Sequence, residues 1–198
     1  MTTKLCGRYY IADWVIDGLD EIIDEEAQDN YEKYKNMEVF PSNKVPIIVN
    51  KKDKLSLDTI DWGYPRIDKK GLIINARSET IEDKQIFRNG IFNNRVVIPC
   101  SNYFEWNGKK EKVSISHKDD SLVFMAGIID EFDNENKFVI ITTKANDSVK
   151  EVHDRMPLIL TKDEVGKWIF DNKAFEKMLD KTPQDLKTYQ EIEQQTMF

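Results

Sequence analysis

Residues 95–106 read Arg95-Val-Val-Ile-Pro-Cys-Ser-Asn-Tyr-Phe-Glu-Trp106, and Asn107-Gly108 follows directly. Val96-Val-Ile98 is an apolar run led by β-branched residues, whose stiff side chains suit a pleated surface better than a helix. Tyr103 to Trp106 forms a second strand candidate. Asn107-Gly108 is a hairpin signal, because both residue types tolerate the positive φ that a tight turn demands. Residues 113–116, 122–125 and 138–141 continue the pattern as further strands. The middle of the chain is therefore expected to supply most of a sheet.

Outward from this stretch the pattern changes. Val45-Pro-Ile-Ile-Val49 reads as a short buried strand, and Gly71-Leu-Ile-Ile-Asn75 as a strand ending on a polar residue. Val15, Ile16, Leu19, Ile22 and Ile23 recur at helical spacing, which predicts a helix over residues 11–35. A second helix is expected over residues 81–92 and a short one over 145–152, while residues 55–65 fit either state. Thr161-Lys-Asp-Glu164 matches a capping box ahead of a helix, and Thr182-Pro183 predicts another helix start. No internal repeat or low-complexity linker is present. The reading is one α+β domain over residues 1–198, with a mixed, barrel-like β-sheet flanked by helices. Residues 161–198 would be its C-terminal helices.

Composition narrows the function. A chain of 198 residues, 40% hydrophobic and 33% charged, suits one domain with a substantial core. No apolar run is long enough to cross a bilayer, and Met1-Thr-Thr-Lys-Leu5 is too short and polar for a signal peptide. The expectation is a cytoplasmic monomer with reduced thiols. Two cysteines without a Cys-x-x-Cys pair, and two histidines far apart, point to no metal and no organic cofactor. A net charge of −7 excludes broad charge-driven binding to nucleic acid, so any such contact needs a local basic groove. Six of the 29 basic residues are arginine, at 8, 66, 77, 88, 95 and 155. Their planar forks match phosphate, though one or two are expected to form internal salt bridges. Cys100 is expected to be a buried bystander and His117 to be exposed.

Four segments combine reactive side chains with turn residues: Cys6-Gly-Arg-Tyr9, Asn75-Ala-Arg-Ser-Glu-Thr80, Tyr103-Phe-Glu-Trp106 and His153-Asp-Arg-Met-Pro157. Each is weak alone. Together with Trp62-Gly63, Arg95-x-x-x-Pro99, Ala126-Gly127 and Ile141-Thr-Thr143, and in this order, they resemble the SOS-response-associated peptidase (SRAP) family of abasic-site-processing proteins. The resemblance covers residues 6–160. It implies an enzyme that binds single-stranded DNA and cross-links itself to abasic sites, with Cys6 as an amino-terminal nucleophile. It further implies Asn75 as the holder of the Cys6 amine, Glu105 as general acid/base and His153 as the group that polarises the sugar oxygen. Arg8, Arg77, Arg88, Thr143 and Arg155 would contact the DNA backbone, and Pro41 and Trp62 would stack beside the unpaired strand. Trp62 and Trp106 are equally well read as core residues.

The chain departs from the family pattern in three places. The segment after Trp62-Gly63 is shortened, and Asn102 stands where glycine is usual, at a turn whose left-handed geometry asparagine tolerates. Family members begin Met-Cys, whereas residues 1–5 precede Cys6 here. Either Leu5 marks the true start, or a leader is removed, or the protein binds abasic DNA without cross-linking. Two other functions compete: a thiol hydrolase built on Cys6, His153 and Asn75, and a non-catalytic single-strand DNA-binding module.

Overall fold

A computed structural model describes residues 7–23, 31–66 and 70–190. Cys6 lies outside the described residues. In chain order the strands are β1 (Arg8–Ile11), β2 (Met37–Val39), β3 (Lys44–Lys51), β4 (Lys54–Trp62), β5 (Tyr64–Pro65), β6 (Leu72–Ile73) and β7 (Asn75–Arg77). They continue as β8 (Arg95–Cys100), β9 (Asn102–Trp106), β10 (Lys112–Ser116), β11 (Val123–Phe132) and β12 (Glu135–Lys144). The last three are β13 (Arg155–Pro157), β14 (Ile159–Leu160) and β15 (Lys187–Gln190). The helices are α1 (Asp13–Asp17), α2 (Gln85–Asn93), α3 (Lys162–Phe170) and α4 (Ala174–Leu179).

Strands β12, β4, β3, β8 and β11 pair successively, and β11 returns to β12, closing a five-stranded barrel. The barrel is mixed: β12 runs parallel to β4 (Phe138 opposite Trp62), and its other pairings are antiparallel. A second sheet, in the order β15-β10-β9-β1-β2, packs beside it. Strands β3, β8, β11 and β12 are buried on both faces over most of their length and read as apolar runs, whereas β4 alternates buried with part-exposed positions. Val97, Ala126, Ile128, Val139 and Ile141 pack under Phe87, Ile91, Val165 and Trp168 of α2 and α3. Val96, Ile98, Met125, Phe138 and Ile140 pack on the opposite face with Tyr9, Tyr103 and Val113 of the second sheet. Backbones approach closely at Gly127, where a Cβ would come 2.4 Å from Ile98 Cδ1 and 2.8 Å from the Val139 carbonyl.

All five strands read from the middle of the chain are present, and most are longer than their apolar runs. The 107–108 signal does mark a hairpin between β9 and β10, but the left-handed residue is Lys110 (φ +65°), not Gly108. The capping box at Thr161 forms as expected, with the Thr161 amide donating to Glu164 Oε2 at 2.8 Å. The ambiguous segment 55–65 is strand. Asn102 sits within β9 opposite Tyr10 with an ordinary φ, so no left-handed turn is needed there.

Three helix expectations fail. Among the described residues of the 11–35 span the α-helix is confined to the short α1, with a 3-10 turn at Tyr31–Tyr34; Ile11 belongs to β1, and turns follow Gly18, with Leu19 O accepting from the amides of Ile22 and Ile23. Residues 24–30 of that span lie outside the described residues. Residues 145–152 form turns: Asn146 caps them by accepting from Ser148 and donates to the Pro183 and Gln184 carbonyls. After Thr182-Pro183 the chain enters β15 in place of a helix, because the open edge of β10 pairs with it. Among the described residues no helix is long and apolar enough to cross a membrane.

Candidate active site

The first strand builds the site. Arg8 of β1 pairs with Phe104 of β9, and continuing that antiparallel register sets Gly7 opposite Glu105. Both line a cavity of about 380 Å³ with Arg8, Phe40, Pro41, Ile74 and Trp106. Glu105 is 1% exposed, so its carboxyl meets this cavity and little bulk water. The Arg8 guanidinium is sandwiched between two rings, 4.6 Å from the centre of Phe40 and 5.1 Å from that of Trp106. Its Nη1 reaches Glu38 Oε1 at 3.4 Å, and Lys112 reaches the same oxygen at 3.3 Å. A cation held between aromatic faces keeps its plane fixed, which leaves its rim as an oriented donor edge at the cavity mouth.

Asn75 opens β7, directly after the lining residue Ile74, and lies opposite Ile140 of β12 in a parallel pairing. The far end of β12 pairs with β13, with Thr143 opposite Met156 and Lys144 opposite Arg155. His153 lies two residues before the start of β13. One seam, β7-β12-β13, thus carries Asn75, Arg77, Thr143, His153 and Arg155. His153 is largely buried, and its Nδ1 accepts the Arg155 amide at 3.0 Å. An Nδ1 used as an acceptor leaves the ring proton on Nε2.

Several expected DNA contacts need correction. Trp62 is fully buried in the core: its ring stacks on Phe138 at 6.1 Å and its Nε1 donates to the Ile74 carbonyl at 3.0 Å. It cannot stack on a strand of DNA; it props the backbone under the site. Arg155 is 7% exposed and spends its fork on Glu79 and on Thr142 O (2.7 Å), so it is not free for phosphate. The guanidinium hydrogen bonds hold the Glu79 carboxyl below the usual carboxylate range. The stabilisation from that pair is therefore present above the ordinary carboxylate pKa and is lost as pH falls through the lowered value. Arg95 is the other internal arginine, donating to Trp168 O at 2.6 Å and Ile91 O at 2.8 Å, which pins α2 and α3 to the barrel. Arg88 lies on α2, away from the cavity lining, and Thr143 is largely buried. Arg77 stays exposed beside Asn75. His117 is half-buried, not exposed, and burial lowers its pKa.

Two residues were missed. Phe40, an exposed aromatic beside Pro41, completes the Arg8 sandwich. Glu79, inside the 75–80 motif, is the partner of Arg155. Cys100 is the expected bystander, fully buried with its thiol pushed well up by burial. Iodoacetamide is therefore expected to leave Cys100 unmodified in the folded protein and to alkylate it after denaturation, which peptide mass spectrometry reads directly.

A closed five-stranded barrel with a second sheet packed beside it has counterparts among known structures. A protein of Bacteroides thetaiotaomicron superposes with a TM-score of 0.76 at 24% identity, covering 93% of this chain and 91% of that one. One from Bordetella bronchiseptica gives 0.77 at 18%, covering 93% and 99%. The family model described as SOS response associated peptidase (SRAP) matches residues 5–196, and the chain belongs to that family. Among its relatives, abasic site processing protein YoaM of Bacillus subtilis is 30% identical over 183 residues, 83% of this chain and 79% of that one. Abasic site processing protein YedK of Escherichia coli is 28% identical over 176 residues, with 83% and 79% covered.

Proposed function

We propose that this protein processes abasic sites in single-stranded DNA by cross-linking itself to them through Cys6. The observation that carries the reading is the β1–β9 register, which sets the residue after Cys6 opposite the buried Glu105 at a shared cavity. The names of the relatives, which act on abasic sites, support the substrate.

The chemistry follows from the residue types. An abasic deoxyribose opens to an aldehyde at C1′. A free Cys6 amine, with a pKa near ~8, is partly neutral at physiological pH and adds to that carbon. Loss of water from the carbinolamine gives an imine. The Cys6 thiol then adds across the C=N bond, its proton passing to nitrogen, and a five-membered thiazolidine closes. Glu105 gives a proton to the ring oxygen as the sugar opens and takes one back from the C1′ hydroxyl, then protonates the leaving hydroxyl of the carbinolamine and recovers a proton from nitrogen as the imine forms. Asn75, with both a donor and an acceptor, orients the amine, and His153 Nε2–H polarises the sugar oxygen. The rim of Arg8 and the exposed Arg77 take the flanking phosphates, while Phe40 and Pro41 offer an apolar face to a neighbouring base.

An amide nitrogen cannot form an imine, so the reaction needs Cys6 as the first residue. The test compares protein made to begin at Cys6 with protein retaining residues 1–5, each incubated with an oligonucleotide carrying one abasic site. A heat-stable shifted band on a denaturing gel is expected only for the first. No adduct from either, or equal adduct from both, overturns the thiazolidine.

A further inference from the structure

We infer that the Glu79–Arg155 pair, a buried guanidinium on a part-exposed carboxylate, is a positioning device that fixes the tautomer of His153. The inference rests on the proposed role of His153 at the site and adds what holds that residue in its working form.

Arg155 ties three segments together. Its Nη2 donates to Thr142 O at 2.7 Å in β12 and to Glu79 Oε2 at 2.9 Å, and Nη1 donates to Glu79 Oε1. Glu79 sits in the 3-10 turn Ser78–Thr80, which directly follows β7 and its Asn75. Through its backbone, Arg155 also meets His153, whose Nδ1 accepts the Arg155 amide at 3.0 Å.

That Nδ1 has a rival partner. Asp154 Oδ1 lies 2.9 Å from it on a side chain that is 87% exposed. The two contacts exclude each other: the amide needs a bare lone pair on Nδ1, and the carboxylate needs a proton there. Whichever neighbour is better held decides where the proton sits. The amide belongs to a residue clamped by Glu79 and Thr142, whereas the Asp154 side chain is 87% exposed and no hydrogen bond from another segment holds it among the described residues. The clamp therefore selects the Nε2–H form, which presents a donor to the site. Stability alone is a weak account of the pair, since the Glu79 carboxylate is 37% exposed and solvent-screened ion pairs add little net stability. Arg155 Nε, moreover, is buried with no hydrogen-bond partner among the described residues, a cost that an optimised stabilising contact would avoid.

The test reads the imidazole directly by two-bond nitrogen–proton NMR, followed over a pH series to the plateau at which the pattern no longer changes. The chain has two histidines, so His117→Asn assigns the signals of His153. Wild type is expected to show a bare Nδ1 and a protonated Nε2. Glu79→Gln is expected to shift His153 toward Nδ1–H, and Asp154→Asn in that background to restore Nε2–H, a rescue that general loosening would not give. Should Glu79→Gln fail to fold, Arg155→Lys keeps the charge and the amide but removes the fork, and is expected to act the same way. An unchanged Nε2–H tautomer in the folded variant overturns the inference. The measurement needs no DNA, so its outcome is separate from that of the cross-linking assay. In protein that cross-links, the same variants are expected to lower the rate at saturating DNA by about tenfold to a hundredfold with affinity retained.

Discussion

In protein that begins at Cys6, Cys6→Ala is expected to yield no heat-stable adduct with abasic single-stranded DNA, while binding of the same oligonucleotide stays nearly intact. Alanine keeps the α-amine, so the imine can still form, but no thiol is present to close the ring. An open imine hydrolyses on heating. Adding borohydride during the reaction should trap it as a secondary amine, and the band should then return. This pattern separates two roles that sit on one residue, amine attack and thiol closure. A stable adduct from the alanine variant without reductant would assign the durable bond to another group and sink the thiazolidine reading. Loss of binding as well would make Cys6 a recognition residue.

Glu105→Gln carries the second large effect. The carboxyl is 1% exposed and lines the cavity beside Gly7 and Arg8, where little bulk water can act in its place. Glutamine is near isosteric and carries no charge into the cavity, so the fold should tolerate it, but it cannot exchange a proton. General acid–base groups contribute on the order of 10² to 10⁴ in rate, and the single-turnover rate of adduct formation should fall within that range. Binding, which the proposed function assigns to Arg8, Arg77 and the aromatic face, should change little. A rate equal to wild type removes Glu105 from proton transfer, whatever its position.

The parts of the fold legible in the sequence are those whose cause is local. Strands β3, β8, β11 and β12 show as apolar runs because both of their faces are largely buried, and α3 shows because Thr161 and Glu164 cap it within four residues. The failures are cases where a distant partner decides. Residues 187–190 become a strand because β10 offers them an open edge, and nothing near Thr182-Pro183 records that edge. Ile11 leaves the expected helix because β2 pairs with it through Met37. The candidate site follows the same rule. Residue types singled out Asn75, Glu105, His153 and the arginines, and the 75–80 and 153–157 motifs do converge on one seam. Type alone does not say whether an arginine faces solvent or a carboxylate: Arg155 meets Glu79 across 76 positions, and that pairing removes it from the DNA surface. Trp62 fails as a stacking residue for a related reason, since its indole closes the core under Ile74.

The pairing of β1 has a consequence during synthesis. Its neighbours are β2 and β9, and a ribbon of β1 and β2 alone is marginal in water. The lasting partner, Phe104 opposite Arg8, leaves the ribosome almost a hundred residues later. At translation speeds of about 5–20 residues per second, that leaves a delay of roughly 5 to 20 s. Throughout it the segment that ends in Gly7 and Arg8 is an unanchored strand open to nascent-chain processing enzymes. Once β9 arrives, the same segment is drawn into the sheet against Glu105. Order of emergence, and not only final geometry, therefore sets how long Gly7 and Arg8 stay reachable before the sheet forms around them.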